Sequence, residues 1–92
     1  MTIKTKRFDI ADYLDDEASI QEYFRQVLAD GDSDEIIRAL GHIAKARGIA
    51  QLAKDTGLGR ESLYKTFSEG SKPRFDTILR VSRALGVPLT VM

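Results

Sequence analysis

Residues 50–70 read Ala-Gln-Leu-Ala-Lys-Asp-Thr-Gly-Leu-Gly-Arg-Glu-Ser-Leu-Tyr-Lys-Thr-Phe-Ser-Glu-Gly, and this stretch decides the predicted fold. One helix pattern covers about residues 50–56 and ends at Gly57, and a second covers about residues 60–68. Gly57 stands where the turn between them requires a positive φ, which glycine adopts without steric cost. Two short helices at this spacing predict a helix-turn-helix, the unit that places its second helix in the major groove of DNA.

The residues that would bring these two helices together are small or apolar, and the segments before them are also helical in pattern. The acidic run at residues 15–17 opens one helix, which ends at Gly31. Asp32 or Ser33 caps the next helix, which ends at Gly48. The predicted contact residues of the helix-turn-helix are Leu52, Ala53, Leu58 and Leu63.

A last helix follows a loop at residues 70–73 and closes at Gly86. A short helical turn at residues 8–14 and an extended tail at residues 87–92 complete the chain. The predicted fold is all-α, a bundle of about five helices, with an acidic helical extension at residues 1–33 and a helix-turn-helix domain at residues 34–92. The residues of the last segments predicted to face the core are Phe67, Phe75, Ile78, Leu79, Ser82 and Leu85.

Composition limits the possible classes of protein. The chain has 92 residues, 42% of them hydrophobic and 30% charged, which suits one small domain that a partner chain or a dimer would stabilise further. It has no Cys and one His, so no disulfide, no metal or cofactor site and no catalytic residue is predicted. No apolar run follows the basic start of the sequence, and none approaches the roughly 20 apolar residues of a membrane span. We therefore expect a cytoplasmic protein that does not enter a membrane.

The net charge is zero, but the two halves of the chain differ in sign. Residues 1–46 hold six Lys or Arg and ten Asp or Glu, a balance of −4, whereas residues 47–92 hold eight basic and four acidic residues, a balance of +4. This asymmetry suggests a DNA-binding face in the second half and a surface for a basic partner in the first. The alternative is that both halves present ordinary solvated surfaces.

The candidate DNA-binding residues lie on and around the second helix of the unit. Arg60 offers a planar fork for guanine O6 and N7, Glu61 can accept from cytosine N4, and Ser62 can bond a base or a phosphate. Each charged side chain among the candidates has the simpler interpretation of a solvated surface residue, and Tyr64 is equally consistent with half-buried packing. The remaining candidates, which we expect to contact the sugar-phosphate backbone or to lie close to it, are Gln51, Gly59, Tyr64, Lys65, Ser71, Lys72 and Arg74.

The chain resembles the lambda-repressor-like DNA-binding proteins and, within them, the addiction-module antidote proteins, which are HigA-like antitoxins of type II toxin–antitoxin pairs. The resemblance covers nearly the whole chain and is most specific at residues 56–65. Gly59 departs from the Ser that is usual at its position. The other matching segments are Phe8-Asp9, Asp12-Tyr13-Leu14, Ile20, Tyr23-Phe24, Ala39 to Gly48, Lys72 to Ile78 and Ala84 to Val87.

This resemblance implies a protein with two roles. It would neutralise a small basic toxin similar to the RelE or HigB endoribonucleases, and it would bind double-stranded operator DNA to repress the shared promoter. Palindromic operators imply that such a protein is a homodimer. Two other interpretations remain open: a stand-alone or phage-type transcriptional repressor without a toxin, and a protein-interaction adaptor that has lost DNA binding.

Overall fold

A computed structural model describes residues 14–87 and residue 89 of the chain. Its helices are α1 (Glu17–Asp30), α2 (Ser33–Arg47), α3 (Ile49–Thr56), α4 (Arg60–Phe67) and α5 (Phe75–Ala84). All regular secondary structure in the described residues is helical, which confirms the all-α prediction for that part of the chain. The predicted turn at residues 8–14, apart from Leu14, lies outside the described residues, as does most of the tail. Within the described residues, no helix is long and apolar enough to cross a membrane.

The first two helices begin at aspartate caps. The Asp16 carboxylate accepts a hydrogen bond from the Ser19 backbone N–H at 2.7 Å, and this bond lowers the pKa of Asp16. Asp32 accepts from the Glu35 N–H at 2.9 Å while the Glu35 carboxylate accepts from the Asp32 N–H at 3.1 Å, which forms a complete capping box. The sequence left Asp32 and Ser33 as alternative caps, and the structure assigns the role to Asp32.

One hydrophobic core joins all five helices. Leu40 and Ile43 of α2, Leu63 of α4 and Val81 of α5 are fully buried, and Leu52 of α3 is 2% exposed. The α1 residues Ile20 and Phe24 belong to the same cluster, and Val87 and Leu89 after α5 pack on it. The pair of helices α3 and α4 is therefore held by neighbouring helices as well as by the contact between the two.

The prediction for the inward face of α5 was partly wrong. Phe75 is 70% exposed instead of buried, whereas Val81, which the predicted stripe omitted, has no exposed surface. Phe75 is the first residue of α5, whereas the core residues Val81 and Leu85 lie in its second half and directly after its end. Phe67, also predicted to be in the core, is partly buried and packs against it.

Polar contacts attach α1 to the rest of the bundle. The Glu17 carboxylate pairs with the Arg47 guanidinium at the end of α2 at 2.5 Å. The Gln21 side-chain amide donates to Glu17 at 2.9 Å and to the Gly86 carbonyl at 2.6 Å. The hydrogen bond from Gln21, followed by the one from Arg47, lowers the pKa of Glu17. The start of α1 is thus bonded to the ends of both α2 and α5.

Candidate nucleic-acid interface

The turn between α3 and α4 has the left-handed residue that the sequence predicted. Gly57 has φ 77° and ψ 6° and ends α3, with its N–H donating to the Ala53 carbonyl at 2.9 Å. The hydroxyl of Thr56, which is 8% exposed, donates to the Leu52 carbonyl at 2.8 Å and accepts from the Leu58 N–H at 3.2 Å. Thr56 therefore fixes the direction in which the chain leaves α3, a role that the sequence analysis missed.

Helix α4 turns one side to the core and the other to solvent. Leu63 is fully buried against the bundle, as predicted for the contact between the two short helices. The predicted second helix at residues 60–68 matches α4 to within one residue. That the pair docks as a lambda-repressor-like helix-turn-helix stays a prediction. The exposed residues of α4 are five of the candidates, namely Arg60, Glu61, Ser62, Tyr64 and Lys65.

The amino end of α4 has no side-chain cap. Gly59, at the N-cap position, has φ −72° and ψ 155°, and the first backbone bond into the helix is from the Leu63 N–H to the Gly59 carbonyl at 3.0 Å. The N–H groups of the first turn of a helix lack intrahelical acceptors and carry the positive end of the helix dipole. A Cβ at Gly59 would meet nothing within 4 Å, so the backbone at this end of α4 is open to approach. The chemistry available here is the binding of an anion such as a DNA phosphate.

Two residues that we predicted to contact the DNA backbone, Ser71 and Gln51, form hydrogen bonds within the chain. The Ser71 hydroxyl donates to the Thr66 carbonyl at 2.6 Å and so closes the end of α4. The Gln51 side-chain amide donates to the Asp55 carboxylate of its own helix at 2.8 Å. Gln51 also lines a groove beside the end of α5, at Ala84, rather than the groove that contains Tyr64. Their DNA contacts stay predictions, and the structure gives each a role inside the fold.

The loop before α5 presents the other two candidates. Lys72 is exposed, and the Arg74 side chain is 86% exposed with its Nε 3.6 Å from the Asp76 carboxylate. An ion pair between side chains this exposed is weak, so it leaves Arg74 able to exchange Asp76 for another anion. Both cations are therefore exposed to solvent and open to an approaching anion.

A groove between α2 and α4 contains residues that the sequence analysis did not select. Tyr64, which is 59% exposed, lines it together with Phe67 and with Arg38 and Lys45 of α2. The solvent-facing side of Tyr64 favours the interpretation as a surface residue over half-buried packing. Arg38 and Lys45 lie beside it only because α2 packs against α4, and no signal in the linear sequence indicates that proximity.

The acidic half of the chain uses several of its carboxylates for its own structure. Asp16 and Asp32 cap helices, and Glu35 completes the second cap. Glu17 binds Arg47, and Glu22 pairs with Arg25 at 2.8 Å, which lowers the pKa of Glu22. These carboxylates stay exposed, so they keep their charge on the surface while they also stabilise the helices.

Comparison with known proteins gives two matches and one negative result. A family model described as "Probable addiction module antidote protein" matches residues 4–92. The chain is 41% identical over 91 residues to a protein of Haemophilus influenzae named "Uncharacterized protein", an alignment that covers 99% of this chain and 94% of the other. No solved structure matches the chain.

Proposed function

The chain belongs to the family of probable addiction module antidote proteins, and from this premise we propose that it is a type II antitoxin that also represses its own operon. Membership of this family supports the antitoxin role, because an antidote implies a toxin partner. The outward face of α4 carries the second half, because Arg60, Glu61 and Ser62 are exposed at the open end of that helix.

Base recognition in this proposal belongs to the first turn of α4. Recognition helices contact base edges mainly through residues near their amino ends. The exposed Arg60 is the strongest candidate, since its fork matches the two acceptors of guanine in the major groove. The Glu61 carboxylate repels phosphate, so it would weaken binding if it lay close to the DNA backbone. Opposite the amino group of a cytosine, it would instead favour that base over the others.

Backbone contacts in this proposal flank the recognition turn. Lys72 and Arg74 lie in the loop before α5, and Lys65 lies one turn further along α4. Each neutralised phosphate releases counterions, so such cations add affinity that depends on salt and not on sequence. The excess of basic residues in the second half of the chain supports this assignment.

Toxin binding in this proposal belongs to the first half of the molecule. The partner is a small basic protein similar to the RelE or HigB endoribonucleases. Asp30 and Asp34 are exposed at the junction of α1 and α2, next to the capping box. Carboxylates at such a junction attract a basic surface and raise its rate of association. The proposal also includes a two-fold dimer, because repression of a palindromic operator requires two recognition helices. Both proposed activities would take place in the cytoplasm. The proposal assigns no residue a catalytic role.

A mobility-shift assay tests the DNA half. We expect the protein to retard a fragment from directly upstream of its own gene, with affinity falling steeply as salt rises from about 50 to 200 mM. The absence of a shift at the low-salt end would contradict DNA binding and favour the adaptor interpretation.

Two substitutions separate the reading of bases from the binding of phosphates. Arg60→Ala should lose about 1–3 kcal/mol on the operator and much less on random DNA. Lys72→Ala should weaken both DNAs alike and reduce the salt slope by about 1. Arg25→Ala, which removes an exposed cation from α1, is the matched control and should change neither. Equal losses on operator and random DNA for the Arg60 variant would rule out a base-reading role.

Co-expression with the product of the adjacent gene tests the toxin half. A small basic protein should co-purify with the tagged chain, and reversal of charge at Asp30 and Asp34 to Lys should weaken that complex without changing DNA binding. A protein that shifts its operator but retains no neighbour product would instead be a stand-alone repressor.

A further inference from the structure

The groove between α2 and α4, here named the α2–α4 groove, has apolar walls and a basic rim. Its volume is about 380 Å³, and Ile49, Tyr64 and Phe67 contribute its large apolar side chains. Arg38 and Lys45, both exposed on α2, contribute two cations, and no carboxylate lines this groove among the described residues. In a chain without net charge, this local excess of positive charge favours an anionic partner.

The packing of α2 on α4 sets the positions of the two cations. A Cβ at Gly41 would lie 3.2 Å from the Cβ of Phe67, so the helices approach closely near the carboxyl end of α4. Arg38 precedes Gly41 along α2 and also lines a second cleft with residues 68–71, directly after α4. Lys45 follows Gly41 by one turn and lines the α2–α4 groove only. The two cations therefore lie on either side of the contact between Gly41 and Phe67, with Arg38 beside the end of α4.

The α2–α4 groove is continuous with the proposed base-reading side of α4. Arg60, Tyr64 and Phe67 are spaced by four and three residues, which places them on one side of this helix. Arg60 is exposed at the amino end of that side, and Tyr64, one turn later, is 59% exposed and lines the groove. This continuity favours DNA over an acidic protein as the anionic partner.

We infer that the α2–α4 groove binds the sugar-phosphate backbone of one operator strand, with Arg38 and Lys45 of α2 as phosphate ligands. The inference rests on the proposed function and extends its DNA-binding surface from α4 to α2. Seven residues separate the two cations by about 10 Å along α2, and the charges of one DNA strand lie about 3.4 Å apart along the duplex. Arg38 and Lys45 therefore bind different phosphates. The ring of Tyr64 packs against the sugar between them, and its hydroxyl donates to a phosphate.

The order of charges along α2 favours DNA in this groove over a basic toxin. The second cleft, which shares Arg38 with the groove, is lined by the carboxylates of Asp34 and Glu69. The sign of the surface therefore changes at Arg38, and a DNA strand that passes Lys45 and Arg38 is repelled beyond that point. A basic protein is instead attracted at Asp34 and repelled at Lys45. The DNA-binding surface thus ends where the proposed toxin surface begins.

The salt dependence of operator binding by the full chain tests this surface. Arg38→Gln and Lys45→Gln should each reduce the slope of log K against log salt by about 0.9, and the double variant by about 1.8. At about 100 mM salt each variant should lose about five- to tenfold in affinity for operator and random DNA alike. Arg38→Lys keeps the charge and should keep the wild-type slope. Arg25→Gln removes an exposed cation from α1 and should change neither quantity. Wild-type slopes in both glutamine variants would overturn the inference.

Ethylation interference identifies the phosphates that are bound. Ethylation removes the charge of one phosphate, so it should weaken binding of the wild-type chain at every phosphate that a cation contacts. With Arg38→Gln, ethylation at one of these phosphates should no longer matter, while the others still interfere. With Lys45→Gln, a different phosphate of the same strand should lose its effect. An interference pattern identical to that of wild type in both variants would contradict the assignment of α2.

Substitution of Tyr64 tests whether the strand enters the groove. Tyr64→Phe removes the hydroxyl and should weaken binding without changing the salt slope, because no charge is lost. Tyr64→Ala also removes the ring and should weaken binding further. A Tyr64→Ala variant that binds DNA as tightly as wild type would show that the strand does not enter the groove.

The same measurements separate this inference from the proposed function. A wild-type chain that does not retard its operator contradicts the proposed function, and the inference with it. Operator binding that the α2 variants leave unchanged contradicts the α2 surface alone. If Arg38→Gln and Lys45→Gln instead weaken only the complex with the toxin, the groove binds an acidic segment of that protein, and the inference is wrong.

Discussion

The variants Gly57→Ser and Gly59→Ser, compared with each other, should measure how much a positive φ in the turn between α3 and α4 costs in stability. Gly57 has φ 77° and Gly59 has φ −72°. A Cβ at either position meets nothing within 4 Å, so neither substitution creates a steric contact in the fold. The two variants also add the same side chain to the same three-residue turn. The sign of φ is therefore the main difference between them.

The magnitude follows from that difference. A residue other than glycine in the left-handed region costs about 1–2 kcal/mol, and Gly57→Ser incurs this cost. Gly59→Ser adopts an ordinary conformation and supplies the missing N-cap of α4, which contributes a few tenths of a kcal/mol. Loss of glycine's freedom in the unfolded chain stabilises both variants by about 0.4–1 kcal/mol and cancels in the comparison. Gly59→Ser should therefore be more stable than Gly57→Ser by about 1.3–2.3 kcal/mol.

Thermal and urea denaturation followed by circular dichroism measure this difference. For a domain of this size 1 kcal/mol shifts Tm by about 4–8 °C, so the two variants should melt about 5–18 °C apart, with equal urea m-values. Gly57→Asn should fall between them, because asparagine tolerates the left-handed region. Equal melting temperatures for the two serine variants, or a lower value for Gly59→Ser, would refute the assignment of the turn conformation.

Two further predictions concern bonds that position α3, α4 and α1. Thr56→Val keeps the shape of the side chain but leaves the Leu58 N–H without its acceptor. The free energy of unfolding, measured by urea denaturation, should therefore fall by about 1–2 kcal/mol. Thr56→Ser keeps the hydroxyl and should lower it less. Glu17 has a lowered pKa in the folded chain, so its stabilising contribution is present above its unfolded pKa and is lost as pH falls through the folded value. Wild-type Tm should therefore fall more steeply than that of Glu17→Gln from about pH 5 to pH 3, and parallel curves would show that the contacts of the Glu17 carboxylate with Gln21 and Arg47 contribute nothing.

Local signals allowed the helix boundaries to be predicted. A capping aspartate and a terminal glycine act through bonds to residues three or four positions away, so Asp32 and Gly48 identify the ends of α2 without any knowledge of the tertiary structure. The positive φ of Gly57 was predicted for the same reason. The exposed positions of α4 also followed from the sequence, because Leu63 and Phe67, four residues apart, define which side of so short a helix faces inward.

Features that depend on contacts between distant segments were not predictable. A Cβ at Gly41 would lie 3.2 Å from the Cβ of Phe67, so this glycine allows α2 and α4 to approach closely, and no pattern around it indicates that neighbour. The error at Phe75 has a related cause. Its spacing to Ile78 and Leu79 suits a helical stripe, but Phe75 is the first residue of α5 and is 70% exposed, whereas Val81, six residues later, is fully buried in the core.

The predicted boundary between residues 33 and 34 separates an acidic part of the chain from a basic part. Ile20 and Phe24 are 4% and 2% exposed in a core that they share with Leu63 of the proposed recognition helix. Removing two such side chains would forfeit about 1.5–3 kcal/mol each, a large fraction of the stability of a small domain. The division into an extension at residues 1–33 and a domain at residues 34–92 stays a prediction. A toxin bound to the acidic half would nevertheless contact helices that help to hold α4 in place, so the two proposed functions share one scaffold.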